Sequence, residues 1–553
     1  MSKPWWENAV VYQIYPRSFA DSDGNGIGDL PGITSRLSYV KELGVDAIWL
    51  SPFYPSPQVD AGYDVSDYTN VDPLFGSLAD FDALLTTAHA LGIKVIIDLV
   101  PNHCSNAHPL FQAALAAKPG SPEREMFHFV AGKGENGENP PNNWRSVFGG
   151  PSWTKVPDSP GQEGLGSQWY YHLFASEQPD FNWKNPKVLQ YFESVFRFWL
   201  DRGVDGFRID VSDAVIKDTS WPDTPDGQPL IPKDEASGVH DIYRAFRRIL
   251  DAYPGERMAV IETGAPDEVV AQFLRPDEMQ QAFNFRFLKT PWDGPALAQA
   301  IRESLQAYTA VGSNTTWVTD NHDNVRTVTR YASNVKLSGE YVPEVHGQVA
   351  LSAKQLRTGL RRARAMALLL LTLPGSAYIY AGQELGLPEV VDLPDNVRTD
   401  PSFFRTQGKI KGRDGCRVPL PWQSFAPTFG FNAQNGQESW LPQPSDWGPL
   451  SVGTQSQDSS SILRLYQDIL KLRHSLPALQ SDNLVWVSEP KLGTTNETVL
   501  VLQRGDADAG ILKVIVNFGD QPVELPEGEV LLLSSDLQGE LLAGNSAALV
   551  KVA

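Results

Sequence analysis

The chain has 553 residues and a mass near 61 kDa, room for two to four domains at about 150 residues each and for a large buried core. Hydrophobic residues make up 41%, charged residues 20% and aromatic residues 10%, a globular balance that excludes collagen-like, disordered and coiled-coil chains. Forty-six basic against 66 acidic side chains leave a net charge of −20, which repels phosphate backbones and anionic bilayers and sets aside nucleic acid and membrane surfaces as partners.

The N-terminal MSKPWWENAVVYQIYP has no apolar signal-peptide core, and the longest apolar run, Ala365 to Leu373, falls far short of the ~20 residues that span a bilayer. Two cysteines, Cys104 and Cys416, cannot build a disulfide scaffold and read as free thiols. A soluble cytoplasmic protein, monomeric or homodimeric, is expected.

Short β-branched runs recur along the first 380 residues with helical patterns between most of them: Val10–Tyr15, Ala47–Leu50, Lys94–Leu99, Gly206–Asp210, Met258–Glu262, Ala282–Phe287, Thr315–Thr319 and Ala377–Tyr380. Eight such βα units predict an α/β fold, a (β/α)8 TIM barrel whose functional groups gather at the C-terminal ends of the strands. A doubly wound sheet would need a phosphate-cradling glycine fingerprint after an early strand, and none is present. The Pro-, Gly-, Asn- and Trp-rich stretch after strand three breaks the rhythm and reads as an inserted domain. Beyond a helix at Ser461–Leu476 the pattern turns to alternating strands (LVWVSEP, TVLVLQR, LKVIVNFGD, VLLLSSD), an antiparallel β domain. The expected organisation is thus residues 1–103 and 174–479 as barrel, 104–173 as insert and 480–553 as C-terminal domain.

Three carboxylates fall at predicted strand ends: Asp210 in GVDGFRID, Glu262 in MAVIET and Asp323 in TDNHD. One alone would read as a helix cap or salt-bridge partner; three at barrel spacing read as a site. Arg208, two residues before Asp210, shares its strand face and is expected to hold that carboxylate ionised. Glu262 lies in an otherwise apolar strand, where desolvation favours a retained proton. One ionised and one protonated carboxyl flanking a bond is the requirement of glycoside hydrolysis. Asn102 with His103, and His322 beside Asp323, offer partners for sugar hydroxyls.

Together DLVPNH (Asp98–His103), GFRID, the fifth-strand glutamate and NHD resemble the ordered blocks of glycoside hydrolase family 13, the α-amylase family. QPDFN (Gln178–Asn182), the opening WWENAVVYQIYPRSFADSDGNGIGDLPGI and GYDVSDY resemble its oligo-1,6-glucosidase and α-glucosidase branch. The resemblance implies that Asp210 is the nucleophile, Glu262 the acid/base and Asp323 the carboxylate that grips sugar hydroxyls. It places Arg208, His103 and His322 around the cleaved glucose, Tyr63 as a stacking platform, and Asp64 with Arg413 or Arg417 as the pair closing the pocket behind a terminal glucose. The implied activity is exo-hydrolysis of terminal α-glucosidic bonds in short oligosaccharides and disaccharides. Val211, after the nucleophile, resembles the α-1,6-preferring members. Alternatives are a transglucosidase or a sucrose- or trehalose-converting isomerase, although an RLDRD-type segment is absent, and, more remotely, a non-catalytic carbohydrate-binding paralogue.

Asp21, Asp23, Asn25, the carbonyl of Ile27 and Asp29 form a D-x-D-x-N-G-x-G-D run of hard oxygen ligands. Gly32 stands where an EF-hand would place its bidentate glutamate, so this is a loop site. The related branch implies structural calcium or magnesium there, with none needed for catalysis; the alternative is a metal-free Asx-turn loop. Trp144, Trp153 and Trp169 could stack on sugars, but at least two are expected to form the insert's core, and Cys416 to be a buried thiol.

Overall fold

The computed structural model describes residues 3–157, 167–333, 351–425, 427–432, 436–490 and 498–552. Residues 158–166 and 491–497, assigned by sequence to the inserted and C-terminal domains, lie outside the described residues.

Eight parallel strands form the barrel: β1 (Val10–Ile14), β2 (Ala47–Leu50), β3 (Lys94–Leu99), β4 (Gly206–Ile209), β5 (Met258–Ile261), β6 (Gln281–Ala282), β7 (Thr316–Val318) and β8 (Ser376–Tyr380). They are ordered β7-β8-β1-β2-β3-β4-β5-β6, and a parallel bridge from Phe283 to Thr316, with Asn284 N–H on the Thr316 carbonyl at 3.0 Å, closes the ring. Strands such as VVYQI and AIWL are buried along their whole length, because side chains inside the barrel and helices outside it cover both faces.

The sixth strand departs from the expectation of Ala282–Phe287. Pairing stops at Ala282, and Asn284 caps a short helix, Phe285–Lys289, by accepting the Phe287 N–H; a capping side chain overrides the β propensity of the phenylalanines. The apolar run Ala365–Leu373 belongs mostly to the helix Ala353–Thr372, whose second half is buried all round between barrel and C-terminal domain. Among the described residues no helix is long and apolar enough to cross a membrane.

Between β3 and β4 lies a three-stranded antiparallel sheet, with Gln168–Tyr171 between Phe129–Ala131 and Trp153–Lys155. Trp144 and Trp153 are its core, each 1% exposed, while the half-buried Trp169 donates its indole N–H to the Gly137 carbonyl. Trp221, from the loop after β4, packs edge-on against both at 5.3 and 5.0 Å. The C-terminal sheet has five antiparallel strands: Leu484–Ser488, Val499–Arg504, Ile511–Asn517, Ser546–Val552 and Glu529–Leu533, in that spatial order. The fourth, SAALVKV, has the alanine-rich composition that strand signals pass over.

Candidate active site

Asp210 and Glu262 each follow the last paired residue of a strand, β4 and β5, so both side chains emerge at the C-terminal mouth of the barrel. Arg208 is their common partner. Its guanidinium meets Asp210 at 2.6 Å, Glu262 at 2.7 Å and Asp98 of β3 at 2.8 Å, and it is 1% exposed. Glu262 is therefore not set in an apolar pocket as the sequence of β5 suggested: its carboxylate is ion-paired and also accepts the Val211 N–H at 3.2 Å.

One guanidinium shared among three buried carboxyls works against the cost of burying each of them. Burial raises the Asp98 carboxyl to about 7 against the pull of Arg208, and burial with the repulsion of Glu262 and Asp98 outweighs Arg208 at Asp210 and pushes it well above the carboxylate range. Arg208 pulls Asp210 toward ionisation, as its shared strand face suggested, against that burial and repulsion.

Asp323 behaves oppositely. Burial works against its ionisation, but the permanent charges of Arg413 and Arg417 outweigh that and hold it well below the usual range. Both arginines contact Oδ1 at 2.9 Å. His322 lies sandwiched between Tyr15 and Tyr63, ring centroids 5.6 and 5.3 Å away. Its Nε2 meets the Tyr63 hydroxyl at 2.7 Å, and Tyr63 donates to Asp98 at 3.0 Å. Burial keeps His322 and His103 neutral, the latter lowered to about 3.

The aspartate that meets Arg413 is Asp60, not Asp64. Arg413 spans Asp60 at 2.7 Å, Asp323 at 2.9 Å and Asp400 at 2.5 Å. Asp64 turns its carboxylate onto the N–H groups of Val59 and Asp60 at 2.9 and 3.0 Å, and so shapes the loop that presents Asp60 and Tyr63. Of the two candidate arginines, Arg413 is the one that pairs with Asp60, and Arg417 joins Asp323 to the His322 carbonyl at 2.8 Å. Burial lifts Asp60 to about 6 despite Arg413.

The insert and the segment that follows it supply the opposite wall. Phe148 lies 5.1 Å beneath the Arg413 guanidinium, and Phe174 lies 5.1 Å from the His103 ring. Both belong to one buried cluster with Val211. Val211 has φ 45° and ψ 45°, a left-handed conformation that costs a β-branched residue about 1–3 kcal/mol and typifies strained functional sites. Gln178 of QPDFN bridges His103 and Asp60 at 3.1 and 3.2 Å. Lys217, buried behind this wall, reaches Asp180 and Asn102 at 2.6 Å each. Cys416 is buried, its thiol 3.2 Å from the His322 carbonyl.

Asp60, Asp98, Phe148, Phe174, Gln178, Lys217 and Asp400 were not singled out by sequence reasoning as site residues. Asp98 and Gln178 lie within the quoted motifs; the others had no local signal.

In the loop after β1, ligand oxygens of Asp21, Asp23 and Asp29 lie within 4.8 Å of one another. Asp21 accepts the N–H groups of Asp23, Gly24 and Gly26. Asp29 caps the following helix through Gly32 N–H and also takes Ser22. Asn25 accepts the Ile27 N–H and donates to Asp23. Burial and the neighbouring Asp23 raise the Asp21 carboxyl, the crowding that a cation would relieve; this hard oxygen set fits calcium or magnesium.

The family model for the alpha amylase catalytic domain matches residues 13–482. The oligo-1,6-glucosidase of Parageobacillus thermoglucosidasius is 34% identical over 533 residues, covering 89% of this chain and 87% of the relative. The trehalose-6-phosphate hydrolase of Escherichia coli (strain K12) is 36% identical over 546 residues, covering 93% and 90%. Among solved structures, the alpha-glucosyl transfer enzyme XgtA superposes with a TM-score of 0.80 at 34% identity, over 99% of this chain and 100% of that one.

Proposed function

The chain belongs to the α-amylase family of glycoside hydrolases, and from that footing we propose that it is a retaining, exo-acting α-glucosidase releasing α-glucose from short oligosaccharides and disaccharides. The observation that carries this reading is the pair of strand-end carboxyls bridged by Arg208, in a pocket backed by Asp60 and Arg413. Asp210 attacks the anomeric carbon while Glu262 protonates the leaving oxygen, forming a β-glucosyl-enzyme; Glu262 then deprotonates water, which displaces Asp210 with net retention. Attack requires Asp210 in its ionised form, the form that the Arg208 contact favours. Asp323, ionised by its arginines, supports the developing positive charge and grips ring hydroxyls. The Asp60–Arg413 pair blocks the space behind the terminal glucose, which favours exo over endo cleavage.

Val211, held in the wall beside Phe148 and Phe174, supports a preference for α-1,6 over α-1,4 bonds. Two buried free thiols suit a reducing cytoplasm. Asp21, Asp23 and Asp29, with Asn25 and the Ile27 carbonyl, would hold calcium or magnesium as a structural tie, and chelation should lower the melting temperature while leaving kcat on a small substrate unchanged. The likeness to a transfer enzyme favours a second reading in which a sugar acceptor replaces water.

Product analysis on isomaltose, maltose, sucrose, trehalose, trehalose 6-phosphate and starch tests the proposal. Glucose from isomaltose and maltose, first appearing as the α-anomer and with little from starch, supports it. Inverted product, or starch as the best substrate, refutes it, and new oligosaccharides move the reading to transfer.

A further inference from the structure

A cavity of about 560 Å³ lies beside the Asp21 loop, and none of the catalytic cluster lines it. Its floor is Ala20 to Ser22 with Gly32, Ser35 and Arg36; its wall is the segment around Gln423, Phe425, Thr428 and Asn432. The two sides are stitched together by backbone, Asp21 N–H to the Phe431 carbonyl at 2.9 Å and Gln437 N–H to the Gly24 carbonyl at 2.8 Å. The volume falls in the range of small-molecule sites, about 300–1,000 Å³.

Arg36 is the unusual member. In a chain of net charge −20, no carboxylate among the described residues pairs with it, and its Nε is buried without a hydrogen-bond partner. The guanidinium carbon lies 4.5 Å over the centroid of the Trp422 ring, which is itself 4% exposed. Phe425 stands 67% exposed at the rim, the most exposed of the large hydrophobic side chains among the described residues. Burial of the stem of Arg36 and stacking on an indole preorganise its donors, so a ligand pays little ordering entropy to use them.

We propose that this cavity is a second carbohydrate site, which binds a short α-linked glucan with one ring on Phe425 and its hydroxyls on Arg36 and Gln423. An aromatic face beside a planar set of donors and an exposed amide is what a pyranose needs, apolar C–H faces edged by hydroxyls that both donate and accept. An anion fits worse, because the exposed ring of Phe425 offers it no partner while giving the C–H face of a sugar a surface to stack on. The site would keep substrate at the enzyme's surface without entering the chemistry. The sugar class rests on the α-glucosidase reading.

The test uses full-length Asp210→Asn protein, which cannot turn substrate over, titrated with maltotriose by calorimetry. Two binding sites per chain are expected, falling to one on Phe425→Ala, an exposed change that spares the core, and on Arg36→Gln. A single site in the parent, or two sites surviving both substitutions, overturns the proposal. Turnover of an aryl α-glucoside is measured on Phe425→Ala in the otherwise native chain: a native rate there with the second site lost places the site outside the active pocket, and a rate that falls in step with binding overturns that assignment. If the native protein fails to hydrolyse any α-glucoside yet binds maltotriose at Phe425, the function reading fails and the site stands.

Discussion

Replacing Lys217 by methionine tests how the loop after β4 is locked to the QPDFN segment that follows the insert. Lys217 and Asp180 both have side chains 0% exposed, 2.6 Å apart, and the lysine also donates to Asn102 at 2.6 Å while Asn102 donates to Asp180 at 2.9 Å. Methionine keeps the volume and removes the cation, leaving a buried carboxylate with only the Leu173 N–H and the Asn102 amide. Breaking such a pair from one side costs about 3–5 kcal/mol, much of it the stranded charge. At about 2.1 cal/mol/K per residue, 553 residues unfolding as one unit carry an entropy of about 1.2 kcal/mol/K, so the melting temperature should fall by about 3–4 °C. Adding Asp180→Asn, which removes the stranded charge, should recover most of that loss. Loss of the lysine's hold on Asn102, whose amide meets the His103 ring at 3.0 Å, should lower kcat/KM by up to about a hundredfold. Calorimetric melting of the four proteins of the cycle, with kcat/KM on isomaltose, reads both. A single variant melting within about 1 °C of the native protein, or an Asp180→Asn that adds its loss in full, refutes the reasoning.

Asp210→Asn should keep the fold by circular dichroism and lose at least about a thousandfold in kcat; a near-native rate would remove Asp210 from the nucleophile role. Asp60→Asn weakens a charged hydrogen bond to Arg413 and the pocket back, and a loss of about 1.5–3 kcal/mol corresponds to a ten- to hundredfold lower kcat/KM on disaccharides, with turnover of longer glucans rising relative to them. Unchanged chain-length preference would show that the pair does not close the pocket. Asp98 has its carboxyl raised to about 7 by burial, so the folded state binds a proton that the unfolded chain releases near pH 4. Its contribution to stability is therefore full below about pH 4 and is lost as pH rises through about 7. Asp98→Asn should flatten the decline in melting temperature between pH 5 and 8, and an equally steep decline in the variant would locate the titration elsewhere.

The barrel was legible because its signal is local and repeated: fully apolar strands ending in a polar residue, with helix caps such as Ser77–Asp80 between them. β6 was overextended because a two-residue strand carries no period, and the Asn284 cap that ends it resembles any loop asparagine. The strand-end carboxyls were legible for the same reason, as barrel geometry converts a sequence position into a place at the mouth. What the sequence misread was the environment around them. MAVIET looks apolar along the chain, yet Glu262 meets Arg208 from the neighbouring strand, and no pattern within one strand records its neighbour's charge. Asp60 and Asp64 lie four residues apart in one loop, and only the turn of that loop decides which of them faces Arg413.

The insert ties these errors together, since it completes a pocket that the barrel leaves open. Gln178 joins Asp60 to His103, Lys217 ties the loop after β4 to QPDFN, and Trp221, at φ 53°, inserts from that same loop into the insert's aromatic core. Val211, in its strained conformation immediately after Asp210, shares one buried cluster with Phe148 and Phe174. The backbone that carries the strand-end carboxyl is therefore held by the insert as much as by the barrel. A change of substrate preference in this chain should accordingly be obtained more readily by repacking Phe148, Phe174 and Val211 together than by altering any one of them, because the three share one buried surface and their effects are not additive.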